Sequence, residues 1–233
     1  MTMGSLLRIQ IPNDELHRRL GGGIPAGSIV LIEGDRGTGK SIFSQRLLYG
    51  FLRNDYTATY VSSQYTTPEF INQMDSLGYS IIQDLIKRRL MFVSLYPLLV
   101  GVSDRRKFLS RFVGEPRLWK TDVMIIDSLS ALLPSELDRE EIRAFSLHLK
   151  RLSSLGKVTI MTVNPADIEP EFLKILEEAS SLLIRLSVKT FGGDLKNSAT
   201  IVKYNNAMGI FQKIIPFRVE PRVGFIVEIA AVV

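Results

Sequence analysis

"GDRGTGKS", Gly34 to Ser41, fits the phosphate-binding pattern G-x-x-x-x-G-K-[ST] and decides the fold. A short apolar run at 28–33 precedes it and predicts a buried strand, and a helical segment at 41–52 follows it. Glycines let successive backbone N–H groups turn inward around phosphate oxygens, and the positive N-terminus of the helix favours the same anion. The stretch therefore predicts a strand, a phosphate-binding loop and a helix within an α/β fold.

Two side chains of this loop have specific predicted roles. Lys40 would bridge the β- and γ-phosphates of a bound nucleotide, and the Ser41 hydroxyl would ligate Mg²⁺. The candidate ligand-binding residues of the loop are Gly34, Asp35, Arg36, Gly37, Thr38, Gly39, Lys40 and Ser41.

A second candidate for the metal is Asp127, in the stretch "VMIIDSLS". Four apolar residues before it predict a buried strand that ends at this carboxylate. In open α/β sheets, ligands bind at the carboxyl ends of the strands. Asp127 would hold Mg²⁺ mainly through water; the alternative is that it caps a helix or a turn.

The rest of the chain alternates strand and helix signals, which is typical of a mostly parallel sheet with helices on both faces. Thr67 with Pro68 indicates an N-cap and a first helical position, and Asp138 with Glu141 resembles a capping box. The predicted buried strands up to this point are 28–33, 58–63, 91–95, 123–127 and 158–163.

After about residue 181 the pattern changes to strands without intervening helices. This predicts an antiparallel extension of the sheet, with a turn at 221–224. The strands expected there are 182–188, 198–204, 213–219 and 225–229. No linker or repeat interrupts the chain, so we expect one domain over residues 1–233.

Composition limits the class of protein. The chain of 233 residues is 45% hydrophobic and 23% charged, which suits a globular protein with a sizeable core. It has no cysteine, which excludes disulfides, thiolate metal sites and a cysteine nucleophile. We expect a soluble, cytoplasmic protein, because no signal peptide and no apolar run of about 20 residues is visible. The formal charge of +5 comes from short basic groups that we expect to be solvated faces.

The stretch "LGGGIPAGSIVLIEGDRGTGKS", residues 20–41, resembles the entry to the RecA/KaiC-like ATPases, which place a Gly-rich turn and "IP-x-G-S" before the phosphate loop. The likeness continues through "MIIDSLSALL" and through "ATIVKYNNAMG" into the C-terminal strands. It implies a RecA-like P-loop fold that binds ATP with Mg²⁺.

Within that family, this short single unit most resembles the ATP-binding accessory proteins of the archaellum, the archaeal swimming organelle. The resemblance implies a regulatory subunit that docks onto the archaellum's assembly ATPase, of the FlaI type, and contacts other motor components. It also implies a homo-oligomeric ring, held at the cytoplasmic face of the membrane through the motor complex.

The stretch "TYVSSQYTTPEF", residues 59–70, departs from the family. KaiC-like enzymes end the corresponding strand with a pair of glutamates before a Ser-Pro or Thr-Pro, and one of them polarises the attacking water. Counting back from Pro68 puts Tyr65 and Thr66 at those places, and Gln64 can only orient a water. General-base assistance is worth about 10²–10⁴-fold, so we expect slow or absent hydrolysis.

Two further positions are compared with the family. Its members supply basic residues across a subunit interface from a strand like "VVKMRG", where this chain has "IVKYNN". The lysine of that strand is retained as Lys203, which would either bind nucleotide or be a solvated strand lysine. Asn205 stands where the family has its arginine. Asn164 directly follows the predicted strand 158–163. There it would either sense the γ-phosphate of a bound nucleotide or cap a helix ahead of Pro165.

Two alternatives remain against the regulatory interpretation. An active ATPase is possible if a carboxylate from elsewhere, such as Glu33 or Glu69, reaches the water. A DNA-binding function meets resistance from "NPADIEPEFLKILEEAS", residues 164–180, where five acidic residues are opposed only by Lys174. We therefore expect no nucleic-acid partner.

Overall fold

The computed structural model describes residues 4–12, 14–96, 107–134, 138–191 and 194–228. Within them, nine strands form one sheet in the order β11-β10-β9-β8-β3-β7-β6-β4-β5, and β1 pairs with β2 in a separate ribbon. The strands are β1 (Leu6–Arg8), β2 (Gly23–Pro25), β3 (Ile29–Glu33), β4 (Ala58–Ser62), β5 (Leu90–Ser94), β6 (Val123–Asp127), β7 (Val158–Val163), β8 (Leu182–Phe191), β9 (Asp194–Tyr204), β10 (Ile214–Glu220) and β11 (Gly224–Val227).

The helices lie between these strands along the chain. They are α1 (Leu16–Arg19), α2 (Lys40–Arg53), α3 (Thr67–Ser76), α4 (Ile82–Ile86), α5 (Phe108–Val113), α6 (Leu129–Leu132), α7 (Arg139–Ser154) and α8 (Pro170–Ala179). Short 3₁₀ helices lie at Pro116–Trp119 and Pro165–Asp167.

The central strands β3, β4, β6 and β7 are buried along their whole length, because apolar clusters cover both faces of the sheet. On one face, α2 and α3 contribute Phe43, Leu47 and Phe70 to a core that also takes in the C-terminal hairpin. On the other face, α7 and α8 pack through Phe145 and Phe172. Continuous burial explains why these strands appear in the sequence as unbroken apolar runs.

The predicted antiparallel extension is confirmed. β8 pairs with β3 in parallel, and β9, β10 and β11 then follow as antiparallel neighbours. The turn at 221–223 has Arg222 at φ 62°, and β11 begins at Gly224. Residue 229 of the last predicted strand lies outside the described residues. The short basic group at residues 105–107 is described only in part, because Arg105 and Arg106 also lie outside them.

Two predicted helix starts were wrong in detail. The N-cap of α3 is Thr66, not Thr67, because Thr66 and Glu69 form the reciprocal capping box and Pro68 falls one place later. Asp138 does cap α7, accepting a hydrogen bond from Glu140 N. Glu141 makes no capping box: its carboxylate turns to α5 and accepts from the Ser110 backbone and hydroxyl.

Within the described residues, no helix is both long enough and apolar enough to cross a membrane.

Candidate functional site

The site lies at the carboxyl edge of the parallel strands. β3 and β6 lie on either side of β7, so the loop after β3 and Asp127 at the end of β6 meet beside the end of β7. A cavity of about 620 Å³ opens there. Its volume falls in the range of small-molecule sites.

The loop after β3 takes the conformation that its glycines predict. Gly37 and Gly39 have φ of 81° and 88°, a region that other residues rarely adopt, and α2 begins directly after Gly39. A Cβ on Gly34 would come within 2.5 Å of Thr38 Oγ1. The chain therefore curls tightly at the N-terminus of a 14-residue helix, as a phosphate site requires.

Lys40 points back over this loop. Its ammonium donates to the carbonyl oxygens of Gly34, at 2.6 Å, and Asp35, at 2.7 Å. Burial lowers the pKa of Lys40, and nearby carboxylates, led by Asp127, oppose that shift. The Lys40 amine is thus a hydrogen-bond donor held against the loop.

The eight loop residues named from the sequence divide into two groups. Those that line the cavity are Arg36, Gly37, Gly39, Lys40 and Ser41. Gly34 and Asp35 instead supply the carbonyls that hold Lys40, and the Thr38 hydroxyl donates to Asp35 O at 2.8 Å. These three residues shape the loop from behind.

Asp127 is almost fully buried, and both of its carboxylate oxygens are hydrogen-bonded. Oδ1 accepts from Ser41 Oγ at 3.1 Å and from Thr162 Oγ1 at 2.7 Å. Oδ2 accepts from the Tyr60 hydroxyl at 2.7 Å. The N-cap residue of α6 is Ser128, so the carboxylate faces the loop and not the next helix.

Tyr60 lies on β4 beneath this carboxylate. Burial and the adjacent Asp127 charge raise the pKa of the Tyr60 phenol well above its usual value, so it stays a proton donor. Its hydroxyl also lies 3.0 Å from Ser44 Oγ on α2. The network therefore ties the loop helix to two strands.

The chemistry of this group fits Mg²⁺. Ser41 and Asp127 offer a hydroxyl and a carboxylate oxygen 3.1 Å apart at the foot of the loop. Mg²⁺ prefers hard oxygen ligands and, beside phosphates, keeps several of its waters. Ser41 would be the direct ligand and Asp127 would act through water.

Gln64 and Tyr65, in the segment after β4, both line the cavity. Counting back from Pro68 puts Thr66 at one of the two glutamate positions, but Thr66 caps α3 and does not line the cavity. Gln64 lines it instead, because the chain turns at residues 62–65 through bonds to Ser62 Oγ.

Neither of the two candidate replacement carboxylates lines the cavity. Glu69 is engaged with Thr66 in the capping box. Glu33 is buried at the end of β3 and pairs with Arg185 at 2.8 Å. Both described carboxylates are therefore committed elsewhere.

Asn164 caps the short 3₁₀ helix, as one of its two predicted roles requires, and the sensing role stays a prediction. It lines the cavity, and its side-chain oxygen caps the 3₁₀ helix by accepting from Ala166 N at 3.3 Å. Its amide donates to Asp167 Oδ2 at 2.7 Å, and Arg36 of the loop pairs with the same oxygen at 3.3 Å. These contacts hold the pKa of Asp167 below its usual range, so it is an anion at the cavity rim.

Lys203 lies away from the cavity of its own chain. Its ammonium donates to the carbonyl oxygens of Glu177 and Glu178, at 3.3 and 3.1 Å, in the last turn of α8. A cation at a helix C-terminus is stabilising, so within one chain this lysine has a structural contact.

Sequence reasoning missed Tyr60, Thr162 and Asp167 as parts of the site. Tyr60 and Thr162 are on strands that flank β6, and their contact with Asp127 depends on strand order, which the sequence does not give. For Tyr60 and Thr162, the available signal was a polar residue inside an otherwise apolar strand.

Comparison with known proteins agrees with this geometry. The family model of the KaiC ATPases matches residues 9–230. Over 232 residues the chain is 45% identical to the archaeal flagellar ATP-binding protein FlaH of Methanocaldococcus jannaschii, a match that covers 100% of both. It is 40% identical to FlaH of Methanococcus voltae, over 97% of this chain and 98% of the relative.

Solved structures have the same fold. The crystal structure of the flagellar accessory protein FlaH from Methanocaldococcus jannaschii matches with a TM-score of 0.90 and 46% identity, over 97% of this chain and 100% of that one. A KaiC-like protein from Pyrococcus horikoshii matches with a TM-score of 0.73 at 20% identity, over 96% and 99%. The second likeness concerns the fold alone.

Proposed function

Because the chain belongs to the KaiC family of ATPases and to its FlaH branch, we propose that it is an ATP-binding regulatory subunit of the archaellum motor. In this proposal it binds Mg-ATP, turns it over slowly or not at all, and docks onto the assembly ATPase according to its nucleotide state. Residues 1–233 act as one domain.

One observation supports the proposal: residue types that suit phosphate and metal binding line one cavity, and the residues after β4 that line it carry no carboxylate. Lys40, Ser41 and Asp127 converge on its loop side. Gln64 and Tyr65 also line the cavity, and neither is an effective base at neutral pH. Such a site favours binding over cleavage.

The residues of the loop would act as follows. The Lys40 ammonium would exchange the Gly34 and Asp35 carbonyls for phosphate oxygens, and the loop N–H groups would hold the same anion. Mg²⁺ beside Ser41 and Asp127 would neutralise charge on the β- and γ-phosphates. Gln64 would orient a water without taking its proton, so the triphosphate would persist.

A persistent triphosphate suits a switch. Nucleotide shifts a docking equilibrium only by its difference in affinity between the two states. In a homo-oligomeric ring, Lys203 of one subunit would leave its helix carbonyls for the phosphates of the next, which provides such a difference. The partners would be the FlaI-type assembly ATPase and other motor components, at the cytoplasmic face of the membrane.

The experiment that tests this function measures affinity for the purified assembly ATPase with ATP, with ADP and without nucleotide. We expect the tightest docking with ATP for the wild type and for the control Lys213→Ala, whose side chain is exposed away from the cavity. Lys40→Ala should lose the dependence on ATP. Equal affinity under all three conditions would mean that nucleotide does not gate docking.

A further inference from the structure

Tyr60 is a buried residue whose hydroxyl bonds directly to Asp127, a residue of the proposed metal site. Its side chain is fully buried, and its ring packs against Phe70 and Phe92, with centroids 4.8 and 6.2 Å away. These contacts fix the ring and therefore the position of its hydroxyl oxygen. That oxygen donates to Asp127 Oδ2, 2.7 Å away, and lies 3.0 Å from Ser44 Oγ.

The other oxygen of Asp127 is the one that faces the loop. Oδ1 accepts from Ser41, the direct ligand in the proposed site, and from Thr162. A carboxylate can accept about four hydrogen bonds in total. With Tyr60 on Oδ2 and Thr162 on Oδ1, the plane of the carboxylate is fixed from two neighbouring strands.

We propose that Tyr60 is a positioning residue for magnesium: its hydroxyl orients the Asp127 carboxylate so that the remaining lone pairs meet the waters of a Mg²⁺ held at Ser41. This inference rests on the proposed binding of Mg-ATP. Outer-shell partners of this kind typically change metal affinity by about 10–100-fold when removed.

Loss of the hydroxyl has a defined consequence. In Tyr60→Phe, Oδ2 would remain buried without its donor, which is unfavourable for a charged oxygen. The carboxylate would rotate toward other donors and leave the geometry that the metal's waters need. The loop, Lys40 and their contacts with phosphate would stay as they are, because Tyr60 contacts none of them.

The test is the magnesium dependence of ATP affinity, measured by calorimetry with Mg²⁺ and with EDTA. For Tyr60→Phe we expect ATP affinity in Mg²⁺ to fall by about tenfold or more, and affinity in EDTA to stay within about twofold of the wild type. The matched control is Tyr79→Phe. Its hydroxyl is also buried but bonds to Phe225 N at 2.8 Å, away from Asp127, so its magnesium dependence should equal that of the wild type.

A second variant covers the case in which Tyr60→Phe does not fold. Ser44→Ala removes the hydroxyl that lies 3.0 Å from the Tyr60 oxygen and should shift the magnesium dependence in the same direction, by less. Unchanged magnesium dependence in Tyr60→Phe, or equal losses with and without Mg²⁺, would overturn the inference. If Tyr60→Phe is unfolded, unchanged dependence in Ser44→Ala overturns it. If the ATP affinity of the wild type does not depend on Mg²⁺, that result would instead refute the proposed site itself.

Discussion

Arg36 of the phosphate loop and Asp167, just after β7, form an ion pair across the rim of the cavity, with 3.3 Å between Nη2 and Oδ2. Both residues line the cavity, and the arginine side chain is 85% exposed. In the proposed site, a triphosphate entering the loop would bring an anion to the same guanidinium. Asp167 would then compete with the nucleotide for Arg36.

Asp167→Asn should tighten ATP binding. The substitution removes the competing charge and keeps an oxygen that can accept from the Asn164 amide. Because exposed ion pairs are worth about 0.2–1 kcal/mol, we expect a gain in affinity of about 1.4- to fivefold. Titration of the variant with ATP at low and moderate salt measures it.

The control for this change is Glu171→Gln, which removes a similar exposed ion pair, with Arg139, outside the cavity. Its ATP affinity should match that of the wild type. Weaker ATP binding by Asp167→Asn would mean that Asp167 supports the bound loop and does not compete with phosphate.

A carboxylate at position 64 should accelerate hydrolysis. Gln64 lines the cavity in the segment after β4, so Gln64→Glu would place a candidate base there. General-base assistance contributes about 10²–10⁴-fold, and we expect at least tenfold faster phosphate release. An assay of phosphate release under saturating Mg-ATP checks this.

The matched control is Thr66→Asp. It adds a carboxylate at one of the positions aligned with the family's glutamates but keeps an N-cap for α3, so the fold should tolerate it. Phosphate release should stay at the wild-type rate. A larger gain from Thr66→Asp than from Gln64→Glu would favour the alignment over the cavity geometry.

The sequence predicted the phosphate loop and the strand-terminal Asp127 because each depends on local chemistry. Glycine spacing, a preceding apolar run and a following helix lie within about 25 residues, and the same signals occur in the structure. The C-terminal strands were equally visible, because the chain there has no helix between them. Local patterns were sufficient for these features.

Other features depend on which strands are neighbours. Tyr60 and Asp127 are 67 residues apart, and Arg36 and Asp167 are 131 apart. Lys203 was predicted to be a solvated strand lysine or a ligand for a neighbouring subunit. In the chain its ammonium donates to the last carbonyls of α8, and the role toward a neighbouring subunit stays a prediction. No periodicity in the sequence encodes these contacts.

Asp14→Asn should destabilise the fold strongly. Asp14 pairs with Arg46, whose guanidinium is fully buried beneath the N-terminal segment and also donates to Ile9 O at 3.0 Å. Among the described residues, Arg46 Nη2 has no hydrogen-bond partner, so Asp14 is the charge that balances it. Breaking a buried pair costs about 3–5 kcal/mol in the free energy of unfolding.

Chemical denaturation measures that loss. The control is Asp55→Asn, which breaks an ion pair with Arg89 whose aspartate is 90% exposed, and should cost about 1 kcal/mol or less. Similar small losses in both variants would show that water reaches Arg46 when Asp14 is neutral.

Glu33 should make the stability of the protein depend on pH. It is 1% exposed at the end of β3, and its Oε1 has no hydrogen-bond partner among the described residues. Burial raises the pKa of Glu33, and the bonds from Arg185 to Oε2 only partly offset the shift.

The direction in which stability changes with pH follows from the number of protons that each state binds. Because the folded pKa lies above the unfolded value of about 4.3, the folded state binds more protons in between, and stability falls as pH rises through that window. Glu33→Gln removes the titration, and the half-exposed Arg185 stays hydrated without its partner. We therefore expect its melting temperature to approach that of the wild type near about pH 4, to exceed it as pH rises, and to keep a constant lead once Glu33 is ionised in the folded state. Glu171→Gln, which changes an exposed carboxylate, should show a constant difference. A wild type that becomes more stable than Glu33→Gln as pH rises would mean that the pair with Arg185 outweighs the burial of the charge.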